Sequence, residues 1–513
     1  MIADKVFRSN AIFTGLSDSP FSGFVATKGD KIIAVDYGDG KAYIDSGTQV
    51  FDLKEGLVCP GFVDVHCFFT GYLLTITGQD LRNCTSVDEV INHMRKVHNE
   101  QGAAKTLLGS GINPNRVQIS QELLDEVFGQ TPIILFHERN DSCYMNSAAI
   151  KEYRFTPDKC WPESCWRLLS YLLNETSFSI QEFKKYMHFM NSKGITAIKE
   201  MAFDNFYGFA DELKKLELNN ELTVRVHFMS QPVSSPINIS FGKKMRDLFQ
   251  GDFVRFSGFN QMTDGSISQL EGDMKEPYLC ENTCCRKQID WEAIEKDVLL
   301  ADKEGFRFSL HAQGDAAIAK VINIFDKCEK NKDGKIRLRH AITDLECADP
   351  KDLEKMGSLG IIAEIYPQIM SISNRNNKLA MIQKHIGMDR GKNYWNRRKM
   401  ADSGVIISCG TDLPLLFDDI PESIYHSVGG KFPEGGESFN PENTLTLAEL
   451  LKAWSYGGQY NLGMDHILGT LEAGKQADIA VFDRNLFETP LEEIRNSKVC
   501  LTIVDGNIVY QDL

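Results

Sequence analysis

The sequence predicts an α/β fold: a (β/α)8 TIM barrel with a small sheet domain built from both ends of the chain. Three observations carry this. The middle of the chain alternates short apolar runs with helical periodicity, which reads as βα units around a parallel sheet. Both ends instead hold short strand-like pieces separated by Gly, Asp and Ser. Finally, 513 residues are too many for one small core and suggest one large domain with a smaller companion.

Residues 1–57 supply "KVFRSNAIF", "FSGFVATKGDKIIAVDY" and "TQVFDL". The tail, 468–513, repeats the style with "ADIAVFD" and "VCLTIVDGNIVYQ", where Asp505-Gly506 is a hairpin signal. The barrel is assigned to 58–467, with strands expected at 58–66, 131–138, 194–200, 222–229, 252–261, 306–311, 336–341, 360–366 and 404–412. Nine is one more than a barrel requires. The strand at 131–138 therefore goes to an insertion at about 75–185, which also holds the turn Trp161-Pro162-Glu163-Ser164-Cys165-Trp166. The helical stretch 443–458 closes the barrel.

Composition narrows the function. Hydrophobic residues make up 42% and charged residues 25%, with a net charge of −15 and no block of Lys/Arg. Nucleic acid and anionic membrane surfaces are therefore not the expected partners. No secretory signal is visible, and no apolar run reaches the roughly 18 residues of a membrane helix. The 13 cysteines are scattered, as in a reduced cytoplasmic protein. The one cluster, Cys280, Cys284 and Cys285, lacks a second ligand pair at zinc-knuckle spacing and reads as chance composition. A small-molecule substrate is the expected partner, and a homodimer the expected assembly.

Four residues with metal-ligand chemistry end apolar strands: His66 in "GFVDVH", His311 in "FRFSLH", His340 in "IRLRH" and Asp412 in "GVIISCGTD". A (β/α)8 barrel gathers its strand carboxyl ends on one face, where its active site is built. Imidazole and carboxylate suit zinc and other divalent first-row metals. A carboxylate such as Asp412 can also accept a proton from an activated water. Singly, a strand-end histidine is more often a hydrogen-bonded structural residue; the shared position of all four favours a site.

At these residues the chain resembles the amidohydrolase superfamily, most closely its YtcJ-like branch of metal-dependent hydrolases (amidohydrolase family 3). The markers are "PGFVDVH", "LRNCTSVDEV", "GITAIKEM", "MTDGSISQ", "LHAQGDAAI", "RHAITDLECADPKDLEKMGSLGIIAEIYPQ", "GTDLP" and "LGTLEAGKQADIAVFD". The resemblance implies a distorted barrel, a β-sandwich from both termini, and C–N bond hydrolysis by a metal-activated water. It aligns His66 with the first histidine of a His-x-His pair. His311 and His340 match the ligands of the fifth and sixth strands, and Asp412 the carboxylate of the eighth.

Two departures stand out. Phe68 replaces the second histidine of the pair, and Asn260 falls where the family commonly has a metal-bridging lysine. A substrate-side "DGHS" is also replaced by Arg139-Asn140-Asp141-Ser142. Asn260, Asp264 and Asp141 are then candidate substrate contacts, and Lys199 is a candidate compensating residue. One reading is a hydrolase with a single divalent metal, zinc before iron or manganese. The other is a silent amidohydrolase-like scaffold that binds a small molecule or partner without a metal.

Overall fold

A computed structural model describes residues 1–512 apart from 102–104, 139–141, 159, 162–163, 202, 233–234 and 418. Eight parallel strands form the barrel sheet: β1 (Phe62–Cys67), β2 (Ile195–Glu200), β3 (Arg225–Ser230), β4 (Val254–Met262), β5 (Phe308–Ala312), β6 (Ala341–Asp344), β7 (Ile362–Ile365) and β8 (Ile407–Cys409). They lie side by side in chain order, and a parallel bridge between Cys67 and Leu413 brings the last back to the first. Every residue of β1, β2 and β3 is buried, which is why these strands read as continuous rather than alternating apolar runs.

A second eight-stranded sheet joins the two ends of the chain. Strand Leu57–Pro60 pairs with Lys5–Ile12 on one side and with Ile479–Phe482 on the other. The terminal sheet thus runs on to Pro60, past the boundary expected at 57. Gly61 is the crossing point into β1, and a Cβ there would lie 2.4 Å from the Thr196 side chain. The strand expected at 131–138 forms at Ile133–His137, in a separate four-stranded sheet with Gln79–Asp80, Leu107–Ile112 and Cys143–Met145. The stretch expected as one helix at 443–458 is helix Leu447–Lys452 followed by a π-helical turn, Ala453–Gly457.

One strand lies elsewhere than expected. The sequence pattern puts the sixth at 336–341, but β6 is Ala341–Asp344. Arg339 adopts a φ of 26° and turns the chain, so the alternation of Ile336 and Leu338 never becomes a barrel strand.

The barrel and the terminal sheet are pinned by Arg225 at the start of β3. Its buried guanidinium donates to both oxygens of Asp478 at 3.0 and 3.1 Å and to Asp505 at 2.9 Å. Two residues on, His227 is 2% exposed and its Nε2 has no hydrogen-bond partner. Burial, reinforced by Arg255, Arg307 and Arg225, pushes its pKa down to about 3.

The unfolded chain takes up that proton near pH 6.5 while the folded chain refuses it. Stability should therefore be complete above about pH 6.5 and fall by up to about 1.4 kcal/mol per unit towards pH 3. Urea titrations at pH 7, 6 and 5 should show this slope, reduced by one proton in His227→Asn. An equal slope in the variant would refute the assignment.

Candidate active site

The site is built where strands end. Asp64, inside β1, accepts hydrogen bonds from the His66 N–H (3.1 Å), the Thr411 N–H (3.1 Å) and the Thr411 hydroxyl (2.6 Å). The Asp412 N–H donates in turn to the His66 carbonyl at 2.7 Å. These bonds hold the ends of β1 and β8 together. Gly410 allows the close approach, since a Cβ there would meet His66 Cβ at 2.7 Å. Asp412 and Asp344 sit just past β8 and at the end of β6 with φ of 51° and 79°. That left-handed conformation is uncommon for residues other than glycine and is concentrated at functional positions.

Two histidine–carboxylate pairs result. His66 Nε2 lies 3.6 Å from Asp412, and His311 Nε2 lies 3.4 Å from Asp344. Behind each ring stands a second, fully buried carboxylate: Glu364 at 3.7 Å from His66 Nδ1, and Asp264 at 3.8 Å from His311 Nδ1. Both Nδ1 atoms are buried without a hydrogen-bond partner. Burial lowers the His66 pKa despite Glu364. Burial also opposes charge on His311, but Asp344, with Asp264 and Asp412, outweighs it and raises that pKa.

Above the pairs a cavity of about 1820 Å³ opens, lined by His66, His311, Asp344, Asp412 and Tyr366 among others. The Phe68 and Tyr366 rings both stand 5.4 Å from the His66 ring, edge to face.

His66, His311 and Asp412 line the same cavity, but as parts of two separate pairs: among the described residues, no three ligand atoms of His66, His311, Asp344 and Asp412 lie within 4.8 Å of one another. His340 does not line it. That residue precedes β6, at the end of the barrel opposite the cavity. Its Nδ1 accepts the Phe308 N–H at 2.9 Å, and its Nε2 lies 3.2 Å from Asp302. Asp302, Cys328 and His340 bring three ligating atoms within 4.8 Å of one another, a spacing that would admit a cation. The backbone donor on Nδ1 leaves the ring proton on Nε2, however, pointed at Asp302, so His340 is a satisfied structural histidine. Asp344 takes the place at the strand end that the misplaced sixth strand had given to His340.

The other candidates are also relocated. Asn260 is 1% exposed, does not line the cavity, and its amide donates to Gln231; its neighbour Gln261 lines the wall instead. Asp264 is buried and does not line the cavity. It accepts the N–H groups of Asp273, Gln313 and Gly314 and backs His311. Asp141 lies outside the described residues.

Lys199 is fully buried in an ion pair with Glu364 and also donates to Asn461 at 3.1 Å and Ser309 at 3.3 Å. An ammonium so engaged offers no lone pair to a metal. In the cysteine cluster, the single Cys285 thiol proton is shared between the carbonyls of Glu271 and Lys287, at 3.0 and 3.3 Å, and Cys280 is exposed.

The model of the amidohydrolase family matches residues 49–510. The chain belongs to the amidohydrolase family. By that membership it is a hydrolase acting on carbon–nitrogen bonds. It is 22% identical to the amidohydrolase YtcJ of Bacillus subtilis, over 95% of this chain and 98% of that one. It is 26% identical to the N-substituted formamide deformylase of Arthrobacter pascens, over 90% of each. An uncharacterized metal-dependent hydrolase of Pyrococcus horikoshii shares the fold with a TM-score of 0.74 at 18% identity, over 95% of this chain and 99% of that one. Among the described residues, no helix is long and apolar enough to cross a membrane.

Proposed function

We propose that this centre hydrolyses the C–N bond of an amide-like small molecule with one divalent cation, zinc before iron or manganese. His66 and His311 would hold it through Nε2, with Asp344 and Asp412. The observation that carries this reading is that each imidazole stands between two carboxylates. A buried carboxylate 3.7 or 3.8 Å behind each Nδ1, beyond hydrogen-bond reach, favours the proton on that nitrogen by its charge and leaves Nε2 as a ligand atom. Two imidazoles and two carboxylates are a donor set that zinc accepts. As the side chains stand, no three of these ligand atoms lie within 4.8 Å of one another, so one cation would have to draw the two pairs together. A second cation finds no donor at Phe68, and Asn260 is turned to Gln231. The formamide deformylase relative supports an amide-like substrate.

When bound, such a cation polarises a carbonyl and lowers the pKa of water towards neutrality. Asp412, whose side chain is 27% exposed at the cavity floor, takes the water's proton and returns it to the leaving nitrogen as the C–N bond breaks. Glu364 and Asp264 stand behind the two rings and bias their tautomer through charge. Phe68 and Tyr366 wall His66 with aromatic rings and limit the water around it.

Elemental mass spectrometry of protein purified without added metal or chelator tests the reading. About one cation per chain is expected, lost in His311→Ala. Substoichiometric metal that does not rise on reconstitution would overturn it and favour the silent scaffold.

A further inference from the structure

We propose that the substrate is an amide without anionic groups that carries at least one bulky apolar substituent, aryl or long alkyl. This rests on the hydrolytic reading of the site and is argued from the walls of its cavity.

The first observation is where the exposed apolar side chains stand. Trp161, Met262, Leu300, Ile372 and Leu415 are each between 38% and 47% exposed, and all five line this cavity. Exposed apolar groups gathered on one concave rim mark a binding surface, whereas scattered ones do not. Two of them are tied to reacting residues. Met262 pairs in register with His311, and the Leu415 N–H donates to the Asp412 carbonyl at 2.7 Å. Phe68 lies edge-on to His66. Both histidines and Asp412 therefore have an apolar neighbour facing the same space, and an amide seated there must place its substituents against them.

The second observation is size. At about 1820 Å³ the cavity exceeds the roughly 300–1000 Å³ usual for small-molecule sites. A formyl or methyl group alone would leave these apolar surfaces wet.

The third is charge. Among the described lining residues are six carboxylates, namely Glu271, Asp290, Asp297, Asp344, Glu346 and Asp412, and no arginine. Of its three lysines, Lys378 is paired with Glu346 at 2.5 Å, and Lys287 donates to the Asp264 carbonyl at 3.1 Å. Lys296 stands on the exposed rim. Among the described lining residues, a carboxylate-bearing substrate meets more negative than positive side chains and no bidentate partner.

The test compares N-benzylformamide with N-methylformamide and N-formylphenylalanine, using the metal-reconstituted protein. The benzyl compound should exceed the methyl compound in kcat/KM by at least about tenfold, the scale set by apolar pocket contacts. Met262→Asp and Leu415→Asp should each reduce that ratio by about tenfold. Preference for the carboxylated compound, or equal rates for benzyl and methyl, would overturn the assignment.

Calorimetric titration of the same compounds separates this proposal from the hydrolytic one. If none is hydrolysed, yet N-benzylformamide binds more tightly than N-formylphenylalanine and Met262→Asp weakens it, the ligand class stands and the hydrolysis falls. Binding that favours the carboxylate, or none at all, overturns the ligand class.

Discussion

Asp412→Asn will lower kcat on a neutral amide by about 10²–10⁴-fold, the usual contribution of a positioned proton acceptor. The fold should not change. Asp412 has a φ of 51°, and asparagine is among the few residues that tolerate this conformation. Its N–H still donates to the His66 carbonyl, and the Thr411–Asp64 bonds are untouched. His311→Ala should remove activity and bound metal together, because it deletes an imidazole ligand and leaves Asp264 and Asp344 facing a void.

His340→Asn is the contrasting variant. It should lower the unfolding midpoint, since Asp302 and the Phe308 N–H lose their shared partner. The folded fraction should keep its turnover and its metal. The comparison needs kcat and KM from the folded fraction, metal content, and a urea titration of each variant. Loss of turnover in folded His340→Asn, with Asp412→Asn active, would reverse the assignment of the two ends of the barrel.

The fold was largely legible because parallel barrel strands are buried on both faces. "GFVDVH" and "GITAIK" have no solvent side and therefore read as unbroken apolar runs. The terminal sheet was legible through its turns. What failed was local. "KIRLRHAITD" contains two plausible strands, and only the backbone turn at Arg339 decides between them. Choosing the first put His340 at a strand end and hid Asp344. The β-branched pair in "AIT", followed by a carboxylate, was the signal that favoured the second.

Glu364 went unseen for a different reason. It lies mid-strand in an apolar run, where a lone acid looks like an interruption. Its meaning depends on partners at positions 66, 199 and 307, which no local pattern connects. The apolar character of the cavity was also hidden, because its walls come from residues far apart in the chain, on a strand end (Met262), a helix (Leu300) and connecting segments (Trp161, Leu415), which no local pattern joins.

The ion pair at the barrel centre makes the last prediction, and it separates stability from catalysis. Glu364 is fully buried, yet Lys199, His66 and Arg307 hold its pKa well below the usual carboxylate range. Burial pulls Lys199 down to about 8. Removing one partner of a buried pair costs about 3–5 kcal/mol, because a charge is left without its counterion. Lys199→Met should fall at the low end of that range. Arg307 remains 3.9 Å from Glu364, which also keeps hydrogen bonds from Thr343, Asn461 and Ser309.

Glu364→Gln should cost less near neutral pH, because buried Lys199 can shed its proton, whereas in Lys199→Met the remaining Arg307 and hydrogen-bond donors favour a charged Glu364. Its signature is the pH slope. The unfolded lysine holds its proton up to about pH 10.4, while the folded one has lost it from about pH 8 or below, so the stability of this variant should rise with pH across that window.

The double variant Lys199→Met/Glu364→Gln removes both charges and keeps an amide to meet Asn461 and Thr343. It should regain most of the stability lost in Lys199→Met, a coupling readable by urea titration of all four proteins. It should not regain activity. The carboxylate behind His66 Nδ1 is gone, and loss of such a partner costs about 10–100-fold in metal affinity or turnover. A double variant that recovered both would show that the pair only fills the barrel. Recovery of stability alone identifies Glu364 as the residue that biases the His66 tautomer.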